Sequence, residues 1–165
     1  MQTEIYEFMR VKPLDVQHDY NLRFEVLTTM DKIQKYDLVQ VNTPQRYLFS
    51  PKAMGILNEL CPDQIQIFDT VIECKDGQIT EYKAINILNE VDVSDPEKSK
   101  FQYLRDKLTV IGYREGKFIF KNHSLEPIHI GRDKYASSII ISATLKEAFE
   151  KAKIKGCQYW PGDEG

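Results

Sequence analysis

One pattern occurs twice in this chain and constrains its fold more than any other feature. An apolar run ends at a serine, first at Tyr47–Phe49 before Ser50 and then at Ile139–Ile141 before Ser142, so the ungapped offset is 142 − 50 = 92 residues. Apolar residues at helical spacing follow each serine: Ala53, Ile56, Leu57 and Leu60 in the first copy, Leu145, Ala148, Phe149 and Ala152 in the second. This spacing is that of a half-buried α-helix. Each copy is therefore predicted to be a strand followed by a helix.

An alternating segment closes each copy, Ile65–Phe68 in the first and Cys157–Trp160 in the second. Alternation predicts a strand, so the repeat units span about residues 47–68 and 139–160 as strand–helix–strand. Identities are few, chiefly Ser50 with Ser142 and Gln66 with Gln158, so duplication and chance similarity both stay open. A strand–helix–strand unit that occurs twice suggests a protein that presents a binding surface and does not suggest a catalytic site.

Turn signals place further strands along the chain. Asp76-Gly77 lies between two extended segments, 65–74 and 79–88, and predicts a hairpin. A second hairpin is predicted for 108–113 and 118–120 around Arg114–Lys117. Shorter strands are predicted at 22–26, 38–41, 128–130 and 138–141, and a weak helical turn within 28–36.

Capping residues mark the predicted helices. Ser50 followed by Pro51 is a favourable start, and Pro62 ends that helix. Ser94 and Glu97 have capping-box spacing, which predicts another helix that continues to about Asp106. Gly156 has the position expected of a glycine at the end of the last helix.

Composition suits one α+β domain over residues 1–165, with a mixed or antiparallel sheet and two to three helices. The chain has 165 residues, 42% of them hydrophobic, and a net charge of −3. That balance disfavours a nucleic-acid-binding protein, which needs a basic excess. Neither a signal peptide nor a membrane-spanning stretch is visible, so a cytoplasmic protein without membrane contact is expected.

Residues able to carry chemistry are scattered. Cys61, Cys74 and Cys157 are odd in number and unpaired in spacing, which favours reduced, inert thiols. His123 and His129 lie six residues apart, which fits no zinc pair, and phosphate loops and nucleophile elbows are absent. No metal and no cofactor are therefore expected. Three lysines, Lys151, Lys153 and Lys155, are assigned to the last turn of a helix, where cations offset the helix dipole.

Three segments together resemble a known family. They are residues 47–57, 82–92 and 139–149, with Asp95–Ser99 after the second. They are similar to the eleventh family of immunity proteins from bacterial polymorphic toxin systems, in which a serine-led helix start occurs twice around a Y-x-x-x-N-V-x-x-x-V-D segment. Pro51 and Ala53 depart from the family pattern in the first copy. The resemblance covers roughly residues 45–161.

The resemblance implies a cytoplasmic, non-enzymatic protein that binds and blocks a cognate toxin encoded nearby. Candidate contact residues are Asp92, Asp95, Glu97, Tyr103, Tyr113 and Arg114, assigned to a strand-to-helix loop, the following helix and a hairpin tip, where side chains reach solvent. The alternative for each is ordinary solvated surface or helix capping. Two other functions stay open, a small enzyme or ligand-binding domain whose site forms only in three dimensions, and a scaffold subunit of a secretion system.

Overall fold

The computed structural model describes residues 6–41, 47–95, 97–103, 105, 110–113, 125, 127–135 and 137–159, with 110–113 described as backbone. Its α-helices are α1 (Met30–Ile33), α2 (Pro51–Leu60) and α3 (Ala143–Lys151), and 3₁₀ turns span Tyr6–Met9 and Pro62–Gln64. The strands are β1 (Arg23–Glu25), β2 (Leu38–Gln40), β3 (Tyr47–Phe49), β4 (Ile65–Asp69), β5 (Val71–Cys74), β6 (Gly77–Ile79), β7 (Lys83–Ile87), β8 (Glu90–Val91), β9 (Phe101–Tyr103), β10 (Val110–Tyr113), β11 (Ile130–Asp133) and β12 (Ile139–Ile141). The predicted α+β class is confirmed.

The strands form four small sheets in the described part of the chain. A four-stranded antiparallel sheet has the order β2-β3-β7-β4. Two three-stranded sheets, β1-β5-β6 and β12-β11-β8, are mixed, because β1 runs parallel to β5 and β11 parallel to β8. Strands β9 and β10 form a separate antiparallel ribbon.

The hairpin predicted from Asp76-Gly77 is confirmed, but it is divided between two sheets. Its outer half pairs β4 with β7 and its inner half pairs β5 with β6. Thr70 lies at the division, where it is buried and its hydroxyl donates a hydrogen bond to the carbonyl of Tyr82 at 2.7 Å. One hairpin thereby contributes to both hydrophobic clusters of the protein.

The two clusters lie on opposite faces of the four-stranded sheet, because neighbours along a strand alternate between them: Leu48 and Ala84 belong to the first cluster, Phe49 and Ile85 to the second. Phe8, Phe24, Leu48 and Ile72 belong to the first, where Phe8 and Phe68 pack edge to face at 5.0 Å. The second fills the space between the two long helices and the strands beneath them; its members include Leu57, Ile85, Ile130, Leu145 and Phe149. Burial of that face is what holds α2 and α3 in place.

Both predicted strand–helix junctions are confirmed. The hydroxyl of Ser50 accepts a hydrogen bond from the amide of Ala53 at 3.3 Å, and that of Ser142 from the amide of Leu145 at 3.2 Å. The preceding hairpins share one register: β2–β3 pairs Leu38 with Phe49, β11–β12 pairs Ile130 with Ile141, and 130 − 38 = 141 − 49 = 92. Superposition of the two whole units stays a prediction.

The strand predicted at the end of the second unit is wrong over the described residues Cys157–Tyr159, which have no regular structure. The backbone just before them is bonded elsewhere. The carbonyl of Lys155 accepts from the amides of Asp37 and Leu38, both at 2.9 Å. The chain after α3 is therefore hydrogen-bonded to the start of β2 through Lys155, and its residues 157–159 do not form a strand.

The helix predicted from Ser94 to about Asp106 is also wrong, because β9 occupies Phe101–Tyr103. Asp95 provides the physical reason. Its Oδ1 accepts from the amides of Glu97 at 2.9 Å and Lys98 at 3.2 Å, which satisfies these donors in a turn instead of a helix. Strand β10 is found where the second hairpin was predicted, but it pairs with β9; segment 114–120 lies outside the described residues.

Gly156 does not end the last helix, so that prediction is wrong. Ala152 caps α3 and Lys153 follows in the left-handed region, with φ 55°. The amides of Lys153 and Ile154 bond to the carbonyls of Glu150 and Phe149, the two bonds of a Schellman motif. Lys153 therefore has the position where glycine is usual.

The last turn of α3 holds only one of the three lysines assigned to it. Lys151 belongs to the helix, whereas Lys153 and Lys155 lie beyond its end. Strand β11 likewise begins two residues later than the predicted strand at 128–130. Offsets of this size are ordinary for element boundaries inferred from sequence.

Candidate functional site

An acidic turn follows strand β8. Asp92 and Glu97 are exposed, and Asp95 between them is half-buried because its carboxylate folds back onto the amides of Glu97 and Lys98. Asp95 therefore shapes the turn, whereas the side chains of Asp92 and Glu97 reach solvent. The turn rests on Ser94 and Ser99, both buried.

An aromatic ribbon continues from the acidic turn. On β9, Tyr103 is 50% exposed and its ring lies 6.4 Å from that of Phe101. Phe101 is half-buried because its other neighbour is Tyr135, at 4.9 Å between ring centroids. Strand β10 pairs with β9 so that Tyr113 stands opposite Phe101. Tyr103 is thus a large amphipathic side chain with a neighbouring ring on one side and solvent on the other, a combination typical of interface anchors.

The end of strand β11 joins the acidic turn to the aromatic ribbon. Lys134 Nζ lies 3.9 Å from Asp92 Oδ2 and 5.6 Å from the ring centroid of Tyr135. The amide of Lys134 also donates to the carbonyl of Val91 at 3.0 Å, which fixes this residue beside β8. An exposed ion pair of this length contributes little stability. Its effect is to place one cation among the acidic side chains.

The six predicted contact residues have different outcomes. Asp92, Asp95 and Glu97 lie on the acidic turn, and Tyr103 lies further along the chain on β9. Tyr103 lies on a strand and not on the predicted helix. Tyr113 is placed by its backbone opposite Phe101, and Arg114 lies outside the described residues.

Sequence reasoning missed three residues that complete this surface: Phe101, Lys134 and Tyr135. Phe101 lies in the segment that was predicted to be a helix and that forms β9 instead. Lys134 and Tyr135 are more than thirty positions away along the chain, and only the parallel pairing of β8 with β11 brings them close. A pairing of that kind leaves no local signal in the sequence.

A serine–histidine contact occurs outside this surface. Nδ1 of His129 lies 2.9 Å from Oγ of Ser142, which is 5% exposed and already accepts the Leu145 amide. Ser50 makes the corresponding contact with Asp37, also at 2.9 Å. Because a carboxylate takes the place of the imidazole in the other unit, the contact is explained by helix capping in both.

The cysteines are free thiols in the described structure. Burial raises the pKa of Cys61 to about 11, so this thiol stays protonated near neutral pH and is a poor nucleophile. Burial and, secondarily, the charge of Asp76 raise the pKa of Cys74. The Cys157 sulfur contacts the Tyr159 hydroxyl at 3.2 Å, and burial followed by this contact raises the pKa of Tyr159.

Within the described residues, no cluster of three or more histidine, cysteine or acidic side chains is arranged to hold a metal ion. In the same part of the chain, no helix has the length and apolar character that crossing a bilayer requires. The absence of a metal and of a cofactor stays a prediction.

Comparison with known families decides the classification. The family described as Immunity protein family (Imm11) matches residues 13–164, nearly the whole chain. The chain belongs to the Imm11 immunity protein family. The resemblance seen in the three sequence segments is therefore confirmed, and membership of Imm11 indicates a general role in toxin neutralisation. No curated protein matches the sequence.

Proposed function

We propose that this Imm11 protein neutralises one cognate bacterial toxin by stoichiometric binding, without catalysis of its own. The match of the immunity family over residues 13–164 carries this proposal. The toxin is expected to be encoded beside this protein and to act in the cytoplasm. Binding alone suffices for neutralisation when the bound protein covers the toxin's site.

The proposed contact surface is the acidic–aromatic patch, defined as Asp92, Glu97, Phe101, Tyr103, Lys134 and Tyr135. Tyr103 is its central anchor, because half of the side chain is exposed while Phe101 supports the ring. Aromatic anchors surrounded by a polar rim are the usual source of affinity in such interfaces.

Charge on this patch sets the kind of toxin surface that it fits. Asp92 and Glu97 are exposed carboxylates, and Lys134 is the cation placed beside Asp92. A toxin surface with basic residues around an apolar pocket would complement them. Rim charges of this type act mainly on the association rate.

The test is co-expression with the neighbouring toxin, followed by measurement of the dissociation constant of the purified pair. Wild-type protein should protect the cells. Tyr103→Ala should weaken binding by at least tenfold, the scale of an interface anchor. Tyr36→Ala is the matched control, since Tyr36 is 52% exposed but lies elsewhere on the fold.

Charge reversal requires a choice of residues. Asp95 holds its own turn, so Asp95→Lys would confound a loss of binding with a loss of structure. Asp92→Lys and Glu97→Lys avoid that difficulty, and Asp95→Asn removes the charge while it keeps an acceptor oxygen. If all of these variants and Tyr103→Ala bind the toxin with unchanged affinity, the binding site lies elsewhere on the protein. Failure of the wild type to bind any neighbouring gene product would remove the immunity function itself.

A further inference from the structure

A groove of about 430 Å³ runs between helices α2 and α3. Both helices bury one face against the strands, with Leu57 and Phe149 at its centre, so the groove opens on the outer side. Its lining consists of Ile56, Glu59, Leu60, Ala148, Lys151 and Ala152. The apolar residues among these are only half-buried, which leaves their outer surfaces to water.

The lining residues form three matched pairs across the groove. Ile56 with Ala148, Glu59 with Lys151, and Leu60 with Ala152 are each separated by the repeat spacing, since 148 − 56 = 151 − 59 = 152 − 60 = 92. In every pair the two members are complementary. Helix α2 contributes the larger apolar residues and the carboxylate, and helix α3 contributes the smaller apolar residues and the ammonium group.

The two halves of the repeat also bond to each other. The amides of Asp37 and Leu38 donate to the carbonyl of Lys155, which follows α3. The amides at the matching positions, His129 and Ile130, donate to Oε1 of Gln64, which follows α2, at 2.7 and 3.1 Å. The two acceptors are not equivalent, because one is a main-chain carbonyl and the other a side-chain oxygen, and because the repeat spacing matches Lys155 with Asp63. A two-fold relation between the two units therefore stays a prediction.

Two opposite charges, Glu59 and Lys151, line the groove. Among the described residues, neither takes part in an ion pair, whereas Lys146 and Glu150 on α3 pair at 3.2 Å. Glu59 and Lys151 are both exposed. This surface is therefore complementary to a partner that presents a cation opposite Glu59, an anion opposite Lys151 and apolar side chains between them.

We propose that a second copy of this chain occupies the groove in a symmetric dimer. A two-fold axis in the plane of the groove, perpendicular to the line from Glu59 to Lys151, sets each Glu59 opposite Lys151 of the other copy. The same rotation lays α2 of one copy over α3 of the other, so that larger apolar residues meet alanines. One surface is then complementary to itself, as a closed two-fold interface requires.

The size of the surface sets the strength of this dimer. Helix α2 has ten residues and α3 has nine, so each is about 15 Å long at 1.5 Å per residue. Two such helices side by side offer less than the roughly 800 Å² per partner of a standard interface. The dimer is therefore expected to be weak, with dissociation over the micromolar range.

Sedimentation velocity of the purified full chain over a concentration series tests the proposal. The wild type should shift from monomer to dimer as its concentration rises. Glu59→Lys or Lys151→Glu alone should raise the dissociation constant by about tenfold or more, because each substitution sets like charges opposite each other twice in a symmetric dimer. The double variant with both substitutions reverses each charge and should restore the wild-type value.

Asn58→Lys, on the exposed side of α2 that faces away from the groove, is the matched control and should leave association unchanged, and circular dichroism establishes that every variant is folded. A wild type that stays monomeric at all concentrations would overturn the proposal. So would a dimer that both single variants leave intact, since it would use another face. Loss of toxin binding in the groove variants without any self-association would identify the toxin, and not a second copy, as the occupant.

Discussion

The hydroxyl of Ser50 donates a hydrogen bond to Oδ1 of Asp37 at 2.9 Å, while the amide of Ser50 donates to the Asp37 carbonyl at 2.7 Å. Ser142 repeats both contacts with His129, through its side chain at 2.9 Å and its amide at 2.9 Å. The two partners are also separated by 129 − 37 = 92 residues. Each serine thereby links the start of its helix to the residue just before a neighbouring strand, β2 for Ser50 and β11 for Ser142.

Asp37 is the more heavily bonded of the two partners, and its removal should be costly. Its Oδ2 accepts from the Lys155 amide at 2.9 Å, in addition to the bond from Ser50 at Oδ1. Asp37→Ala leaves both donors without this acceptor, and the free energy of unfolding should fall by about 2 kcal/mol. Urea denaturation measures it. Asp63→Ala, an exposed carboxylate, should change stability by less than about 0.5 kcal/mol; equal effects of the two would contradict the assignment.

The cap at Ser142 should contribute measurably to stability. Ser142→Ala removes the acceptor of the Leu145 amide, and a loss of about 1 kcal/mol is expected. Chemical denaturation of this variant and of Ser50→Ala compares the two helices. Ser138→Ala, outside any cap, is the control. If neither capping variant differs from wild type, the hydroxyls do not act as caps in solution.

Lys153 should be replaceable by glycine with a gain. Its φ of 55° lies in the left-handed region, which is unfavourable for a side chain with a Cβ. Lys153→Gly should raise the free energy of unfolding by about 1 kcal/mol. Lys146→Gly, the same substitution inside the helix, should lower it by about 1 kcal/mol. Opposite signs in thermal melts of the two variants are the expected result, and a loss in both would contradict it.

Gly156 should tolerate no side chain. Its φ is 96°, and a Cβ there would come within 2.0 Å of the Leu38 carbonyl oxygen. Gly156→Ala must displace the segment from the start of β2 and should cost about 3 kcal/mol. Gly55→Ala is the control, because nothing lies within 4 Å of a Cβ at that helical position. That variant should be stabilised by about 1 kcal/mol, so equal behaviour of the two would refute the close approach.

Alkaline pH should destabilise the protein through Cys61. Burial raises the pKa of this thiol from 9.0 to about 11, so the folded state retains a proton that the unfolded chain releases. The stabilisation is complete below about pH 9 and is lost as pH rises through 11, a fall of up to about 2 kcal/mol. Urea denaturation under reducing conditions measures it. Cys61→Ala should flatten the decline between pH 9 and 11, and an unaltered slope would exclude this cause.

Local chemistry made several elements of this fold readable from the sequence. Ser50 and Ser142 marked helix starts because a side-chain oxygen satisfies amides only three residues away. Asp76-Gly77 marked a turn for the same kind of reason. The family resemblance was likewise readable, since two of its three segments, 47–57 and 139–149, contain these helix starts.

The elements that sequence reasoning missed depend on choices between competing local structures. The carboxylate of Asp95 accepts from the amides of Glu97 and Lys98, and the resulting turn forms in place of the helix that the capping-box spacing predicted. Lys153 adopts a conformation that the sequence assigned to Gly156, because the helix ends where Phe149 and Ile154 pack against the core.

The two strand–helix units, their spacing and the immunity family could be inferred from the sequence. The surfaces that these units form could not, because they depend on contacts between distant segments: β8 beside β11 brings Lys134 to Asp92, and α2 beside α3 sets Glu59 across a groove from Lys151. The physical reason is the distance along the chain over which each kind of interaction acts. Capping and turns are settled by atoms a few residues apart, whereas contacts between distant segments follow from burial of apolar faces, which many residues share and no single motif encodes.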